Sequence, residues 1–426
     1  MRMRSDIRQH GILLQPRVER VILKPFVPAE DYRITSILAN VLILDEERVT
    51  DELASVLSSF ASRHIDIESR LLAHYDAVAS KIVSPRSLSR SRKILIGALF
   101  SGEYSLEAAA LFNPSIVPSP DQSNVKPGCL RFIMSLRATG EGHISSIEFR
   151  SGLIDQTGAI QMDDLSPHVS LPDIDPDPHY EKEQFVQILR EMGCYNQHSE
   201  ALLAMLTEAF TKSELIRCLL QIKKESRHEG QECKETIQRI QWVIDSNYEI
   251  DFSPTLSLGE RLIFPVSSNE SRGIEDARFV LFTEDDGRSM YYATYTAYNG
   301  HAIFPQLIET QDFLHFRIRT LNGNAVRNKG MALFPRRIGG RYAMLSRQDD
   351  ENLFIMLSDH IHHWSDAKVI MRPSELWEAV KIRPVALIGD RKGLASYNPR
   401  SRPDAKVLHR RSPLGFRRSE QGYRAS

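Results

Sequence analysis

Cysteine is scarce and scattered: Cys129, Cys194, Cys218 and Cys233 are the whole complement of the 426-residue chain, and no two form a C-x-x-C pair. Such spacing argues against a zinc site or a disulfide framework and fits reduced, mostly buried thiols. Net charge is nearly absent, with 54 Lys and Arg against 55 Asp and Glu. The chain as a whole therefore offers no field for holding a nucleic acid or an anionic membrane, which points to a small or neutral ligand. No apolar run approaches the length of a membrane span, and the start MRMRSDIRQHG has positive charge without the apolar stretch of a signal peptide. These absences predict a cytoplasmic protein without membrane or nucleic-acid partners. What is present, 42% hydrophobic and 26% charged residues, suits a globular chain with one large core or two moderate ones.

Two stretches carry helical periodicity. From about Asp45 to Val83 the apolar positions recur at helical spacing after a short strand, VERVILKPF. A second block begins near Glu181 (EKEQFVQILREM), continues through SEALLAMLTEAF, and ends with Ile237, Ile240, Val243 and Ile244 on one face. Around and after it, RFVLFTEDDGRSMYYATYTAY and MALFPRRIGGRYAMLSR each read as two β-rich runs joined by Asp-Gly or Gly-Gly, the signature of hairpins. Thr310-Gln311-Asp312-Phe313-Leu314-His315-Phe316 is echoed by Ser358-Asp359-His360-Ile361-His362-His363-Trp364, a shift of 363 − 315 = 48 residues. That period is about one propeller blade, an architecture in which polar residues from distant segments converge on a central channel.

Three segments carry residue types suited to chemistry. In Gly273-Ile274-Glu275-Asp276-Ala277-Arg278-Phe279-Val280, two acids and an arginine stand where a strand begins. A neighbouring acid raises a carboxyl pKa and an adjacent Arg lowers it, so sequence leaves the charge open; an Asp-Arg pair tying a blade edge is the commoner meaning. Arg327, Asn328, Lys329 and Arg347 form a basic group suited to phosphate, although a solvated rim is the commoner outcome. Asn113-Pro114-Ser115, Arg137 and Gly142-His143 suit sugar hydroxyls, with a turn at Asn-Pro and core satisfaction of His143 as the ordinary readings.

Taken together and in order, these segments resemble glycoside hydrolase family 130, the β-mannoside phosphorylases and β-1,2-mannosidases. The matching features are Phe112-Asn113-Pro114, Glu275-Asp276-Ala277-Arg278, Thr296-Ala297-Tyr298-Asn299-Gly300, the run from Asn328 to Arg347, and Ser358 to Trp364. The resemblance spans roughly Leu111 to Ile382, and the helical N-terminal region resembles that of longer members. It implies a mainly β fold, a five-bladed β-propeller, with a helical accessory region at 1–105, a catalytic domain at 106–382 and a helical insertion at about 178–246. It also implies an inverting attack on a β-mannoside with Asp276 as the sole general acid, protonating the leaving oxygen through a mannose hydroxyl. Asn113, Arg137, Glu275, Arg278, Tyr298 and Asn299 would bind the sugar; Arg327, Asn328, Lys329 and Arg347 would bind phosphate. No metal or cofactor is implied, only inorganic phosphate as co-substrate, and a homo-oligomer stays open.

The family pattern stops at Ile382. Residues 383–426 are Arg-rich and lack strand alternation. With synonymous codons chosen freely, a one-nucleotide shift from Leu394 restores the expected T-H-G and L-L-D-L motifs; Asn398-Pro399-Arg400 written AAC-CCA-CGG contains ACC-CAC-GG, which is Thr-His-Gly. The tail thus reads as out of frame from a point between Ile382 and Leu394, which leaves the last blade incomplete and the phosphate site short of its His and Tyr. Three functions remain in view: phosphorolysis of β-mannosides to α-mannose 1-phosphate, hydrolysis by a β-mannosidase, and a non-catalytic sugar-binding propeller. The basic group favours the first, since a hydrolase needs a second carboxylate to activate water.

Overall fold

The computed structural model describes residues 11–82, 87–175, 177–225, 230–374, 388–390 and 393–395. Strand β1 (Val21–Pro25) leads into helices α1 (Asp31–Leu42), α2 (Glu46–Phe60), α3 (Ile67–Ala79) and α4 (Arg90–Leu99), and the chain returns in β2 (Ser101–Ser105), antiparallel to β1. Asp45 caps α2 by accepting the Arg48 N–H at 2.8 Å, and Ser89 caps α4 by accepting that of Arg92 at 3.1 Å. Ile34, Leu38, Val41, Val49, Val78, Leu95, Ile96 and Phe100 form the core of this helical module. Helix α1 precedes the expected helical start at Asp45; Glu30, at its N-cap, provides no side-chain cap that would mark it.

Four buried charges fasten the entering chain to the sheet that follows. Arg20 contacts Glu107 at 3.3 Å and Glu148 at 3.1 Å, while Arg150 contacts the same two carboxylates at 2.8 and 2.9 Å. Burial, followed by the charge of Glu148, pushes the Glu107 carboxyl up to about 7. Isolated burial of such ions costs several kcal/mol each, so the network persists only because each partner is satisfied by another.

The first sheet runs β3 (Ala110–Pro118), β4 (Leu130–Thr139) and β5 (Ser145–Ile154), with short β6 (Ile160–Met162) on β5. Strand β7 (Asp173–Ile174) precedes the insertion: β8 (His179–Glu181), α5 (Lys182–Glu191), α6 (Gln197–Ala204), β9 (Ala209–Thr211), α7 (Lys212–Glu225) and α8 (Gln231–Ser246). The insertion has its own core, centred on Phe185, Leu189, Phe210, Leu215, Ile240 and Val243. It touches the following sheet where Trp242 meets Phe304, ring centroids 5.8 Å apart. Strands β10 (Tyr248–Asp251) and β11 (Leu262–Ile263) lead to a second antiparallel sheet: β12 (Gly273–Thr283), β13 (Ser289–Tyr298), β14 (Ile303–Thr310) and β15 (His315–Thr320), with β10 along β15. A third comprises β16 (Ala332–Leu333), β17 (Tyr342–Ser346), β18 (Leu353–Ser358) and β19 (Ala367–Met371), and β20 (Ile388–Asp390) pairs with β21 (Gly393–Ala395).

The sheets pack face to face through alternate residues. Phe149, Ile274, Phe279, Tyr295, Phe313 and Phe316 fill the space between the first and second sheets. On the opposite face of β12, Val280 and Phe282 join Met331, Met344, Met356 and Trp364 against the third sheet. The expected hairpins are present: Gly287, at φ 88°, turns β12 into β13, and Gly339 and Gly340, at φ 60° and 79°, turn β16 into β17. The 48-residue echo marks one joint used twice. Thr310 Oγ1 accepts the Phe313 N–H at 2.9 Å between β14 and β15, and Ser358 Oγ accepts the His360 N–H at 3.0 Å between β18 and β19. Phe316 and Trp364, both fully buried, close each joint.

The fold is mainly β, with large antiparallel sheets and helical additions. The Gly273–Ser145 bridge joins the first two sheets into one eleven-stranded sheet, in the order β3-β4-β5-β12-β13-β14-β15-β10-β7 with β6 and β11 on β5, and β16 to β19 form a separate four-stranded sheet; no closed ring of five blades is formed among the described residues. Most of the tail at 383–426, including the Arg-rich stretch, lies outside the described residues. All four cysteines are free, three buried and Cys129 half-buried. Among the described residues no helix is long and apolar enough to cross a membrane.

Candidate active site

Two β-bulges facing each other build the site. In β3 the register against β4 shifts between Phe112 and Ser115, and in β12 the register against β13 shifts between Glu275 and Arg278. Each bulge holds a non-glycine residue in the left-handed region, Asn113 at φ 54° and Asp276 at φ 55°. Asn and Asp tolerate that conformation better than other side chains, and bulges re-aim a side chain out of the strand's alternation. Here the bulges turn both residues toward each other, and Asn113 Nδ2 donates to Asp276 Oδ1. The β12 bulge also resets the alternation, so Ile274 before it and Phe279 after it face the same core.

Arg137, from β4, ties the two acids together. Its Nη1 donates to Asp276 Oδ1 at 3.0 Å, its Nη2 to Glu275 Oε1 at 2.7 Å, and its Nε to Ser145 Oγ at 2.9 Å. The Phe112 ring lies beneath the guanidinium, 4.9 Å from Cζ to the centroid. Lys329 Nζ reaches Glu275 Oε2 at 3.2 Å. Burial pushes the Asp276 carboxyl up, but the charges of Arg137 and Arg278 and the hydrogen bonds from Arg137 and Asn113 outweigh it and hold the group below its ordinary value.

Gly330, at φ 89°, separates two further guanidinium groups. A Cβ there would lie 3.7 Å from Arg278 Nη1 and 3.9 Å from Arg347 Cζ. Arg278 thus acts on Asp276, Lys329 pairs with Glu275, and the buried Arg347, whose Nε lies 3.3 Å from Asp350 Oδ1, stands across Gly330 from Arg278. Arg327 stands apart: it is exposed and its Nε donates to Asn324 O at 2.9 Å. Asn328, at φ 61°, uses its Oδ1 to accept the Lys329 N–H at 2.8 Å, shaping the turn that delivers Lys329.

A cleft of about 580 Å³ opens over Glu275 and Arg137, lined also by Phe112, Thr139, Gly142, His143, Arg272 and Tyr298. Asn299 belongs to a turn, its Oδ1 accepting the N–H of His301 at 3.0 Å and of Ala302 at 2.8 Å. His143, for which sequence suggests core satisfaction, is exposed at the cleft. Arg272 carries no local signal as a site residue, and the contacts of Phe112 and Ser145 with Arg137 are found only once β3, β4 and β5 are placed side by side. Among the described residues no group of three or more His, Cys, Asp or Glu could hold a metal ion.

The site is thus a dispersed set of carboxylate, amide and guanidinium groups brought together from β3, β4 and β12. Residues 255–388 match the family model described as beta-1,4-mannooligosaccharide phosphorylase. A 1,2-beta-oligomannan phosphorylase of Thermoanaerobacter sp. (strain X514) is 32% identical over 130 residues, 29% of this chain and 42% of that protein. A beta-1,4-mannooligosaccharide phosphorylase of Ruminococcus albus is 36% identical over 61 residues, 13% of this chain and 18% of that protein. The chain therefore spans less than half the length of these curated relatives. A solved β-1,2-mannobiose phosphorylase of Listeria innocua overlays with TM-score 0.32 and 16% identity, covering 69% of this chain and 68% of that one, too loose an overlay to carry an argument. The likeness to the mannoside phosphorylases is thus carried by residues 255–388, about a third of the chain.

Proposed function

We propose that the chain cleaves β-mannosides by inverting phosphorolysis and releases α-mannose 1-phosphate. The observation that supports this most is the asymmetry of the site: one carboxylate, Asp276, is held in a left-handed bulge beside Arg137 and Arg278, with the Lys329 ammonium on the adjacent Glu275 and the Arg347 guanidinium across Gly330 from Arg278. An inverting hydrolase needs a second carboxylate, free to activate water across the sugar. Glu275 is the nearest candidate, and it is held by Arg137 at 2.7 Å and by Lys329 at 3.2 Å. Phosphate is already an anionic nucleophile, and clustered guanidinium and ammonium groups suit its oxygens.

In the proposed reaction a phosphate oxygen attacks the anomeric carbon as the glycosidic C–O bond breaks. The leaving oxygen takes a proton by way of a mannose hydroxyl, as the family resemblance implies, and Asp276 supplies it in its protonated form, which burial favours once the sugar has taken the Arg137 and Asn113 donors away from its carboxyl. Asn113, Arg137 and Tyr298 orient the sugar. Incubation with mannobiose isomers, with and without phosphate, tests the reading: mannose 1-phosphate should form only when phosphate is supplied. Equal release of free mannose in both arms would establish the hydrolase, and binding without turnover the sugar-binding module. Within the phosphorolytic reading, Arg347→Ala should raise the KM for phosphate by roughly tenfold or more, the size of a lost charge-assisted contact, and leave the KM for the mannoside nearly unchanged. A uniform loss in both constants would place Arg347 outside the phosphate site.

A further inference from the structure

We propose that Ser145 is a positioning residue of this site, its hydroxyl aiming the Arg137 guanidinium at the two acids. The inference rests on the reading of Asp276 given above. A guanidinium is a planar fork, so fixing one nitrogen fixes the direction of the other two. Two nitrogens of Arg137 go to Asp276 and Glu275, groups whose partners must change when a sugar enters the cleft. The third, Nε, goes to Ser145 Oγ at 2.9 Å.

Ser145 is built to stay where it is. It is fully buried, and its hydroxyl also lies 3.0 Å from Thr139 Oγ1. Its backbone forms the single parallel bridge between β5 and β12 found among the described residues, with Gly273. A Cβ at Gly273, which has φ 129°, would stand 2.6 Å from Ser145 N, so only glycine permits this approach. Ser145 thus sits at the seam between the sheet that carries Arg137 and the one that carries Asp276. It touches no reacting atom in this arrangement; its effect passes through Arg137.

The groups facing Asp276 are Arg137 from β4, Arg278 from β12 and the uncharged Asn113 from β3, with Glu275 adjacent and Lys329 paired to Glu275. Releasing Arg137 from Ser145 weakens one of the two cations that hold the Asp276 carboxyl low. The test is the titration of the Asp276 carboxyl followed by carbon NMR in full-length protein labelled at aspartate, with the resonance assigned through Asp276→Asn. Ser145→Ala should raise the Asp276 midpoint by about one unit, as expected for partial loss of a neighbouring charge. Ser145→Thr, which keeps the hydroxyl, should restore the midpoint. In an Arg137→Gln background, Ser145→Ala should give no further shift.

A purely structural serine would lower the melting temperature and leave the midpoint unmoved, and that outcome overturns the proposal. So does a shift that persists in the Arg137→Gln background. Should Ser145→Ala fail to fold, Ser145→Thr against Arg137→Gln carries the comparison alone, with a midpoint shifted equally in both counting against it. Full activity of Asp276→Asn would instead overturn the role of Asp276, whatever Ser145 does, so the two readings fail separately.

Discussion

Asp276→Asn is expected to reduce turnover by ~10² to 10⁴, the usual contribution of a general acid, while leaving the fold intact. The substitution suits this position unusually well. Asn is among the few residues that accept φ near the 55° observed there, so the bulge keeps its shape. Its carbonyl oxygen can still accept from Asn113 Nδ2 and Arg137 Nη1, the donors that now converge on Asp276 Oδ1. What it cannot do is carry and return a proton. Asp276→Ala makes the contrast: it removes the acceptor and places a Cβ-bearing side chain without compensation in the left-handed region, so stability should fall by about 1–3 kcal/mol together with activity. Rates of mannose 1-phosphate formation and thermal melts on both variants decide the matter. Turnover near that of the unsubstituted chain in Asp276→Asn would remove Asp276 from the chemistry.

The parts of this molecule that were legible in its sequence are those written in local pattern. Asp286-Gly287 and Gly339-Gly340 announce hairpins because a tight turn needs positive φ, and the structure uses Gly287, Gly339 and Gly340 in that way. The echo between Thr310 to Phe316 and Ser358 to Trp364 was readable because a capping hydroxyl and a buried aromatic recur at a fixed offset. Glu275-Asp276 stood out as paired acids beside an arginine. The bulges did not, since an inserted residue looks like any other in a strand, and only the paired register shifts at Phe112/Ser115 and Glu275/Arg278 reveal them. Arg137 and Ser145 are joined by strand pairing between β4 and β5, whereas Gly273 reaches Ser145 across 128 residues. His143 reads as an ordinary core histidine until its place at the cleft is seen. Arg20, inside VERVILKPF, reads as a polar residue on a short strand, and nothing nearby in sequence names partners at Glu107 and Glu148.

Arg20→Met is expected to be the most damaging single change outside the site, destabilising the chain by about 3–5 kcal/mol at pH 8, the range for stranding a buried charge. Arg20 is fully buried and donates to Ser166 O at 2.6 Å and Gly259 O at 2.8 Å, besides meeting both carboxylates. Its removal leaves Glu107 and Glu148 with Arg150 as their one remaining guanidinium in this network. The loss should depend on pH, with a sign set by Glu107, whose carboxyl burial and Glu148 push up to about 7. In the unfolded chain that group titrates at about 4.3. Between those values the folded chain holds a proton that the unfolded chain has released, so stability is greatest below the lower value and falls as pH rises toward 7. Without Arg20 the ionised carboxyl is harder still to accommodate, so the penalty of Arg20→Met should be larger at pH 8 than at pH 5. Adding Glu107→Gln to Arg20→Met removes one stranded charge, leaves Glu148 with Arg150 at 2.9 Å, and should recover part of the loss at pH 8. Urea midpoints for the three proteins at the two pH values measure all of this; a penalty below about 1 kcal/mol, or one independent of pH, would show that the network neither holds the entering chain nor titrates through Glu107.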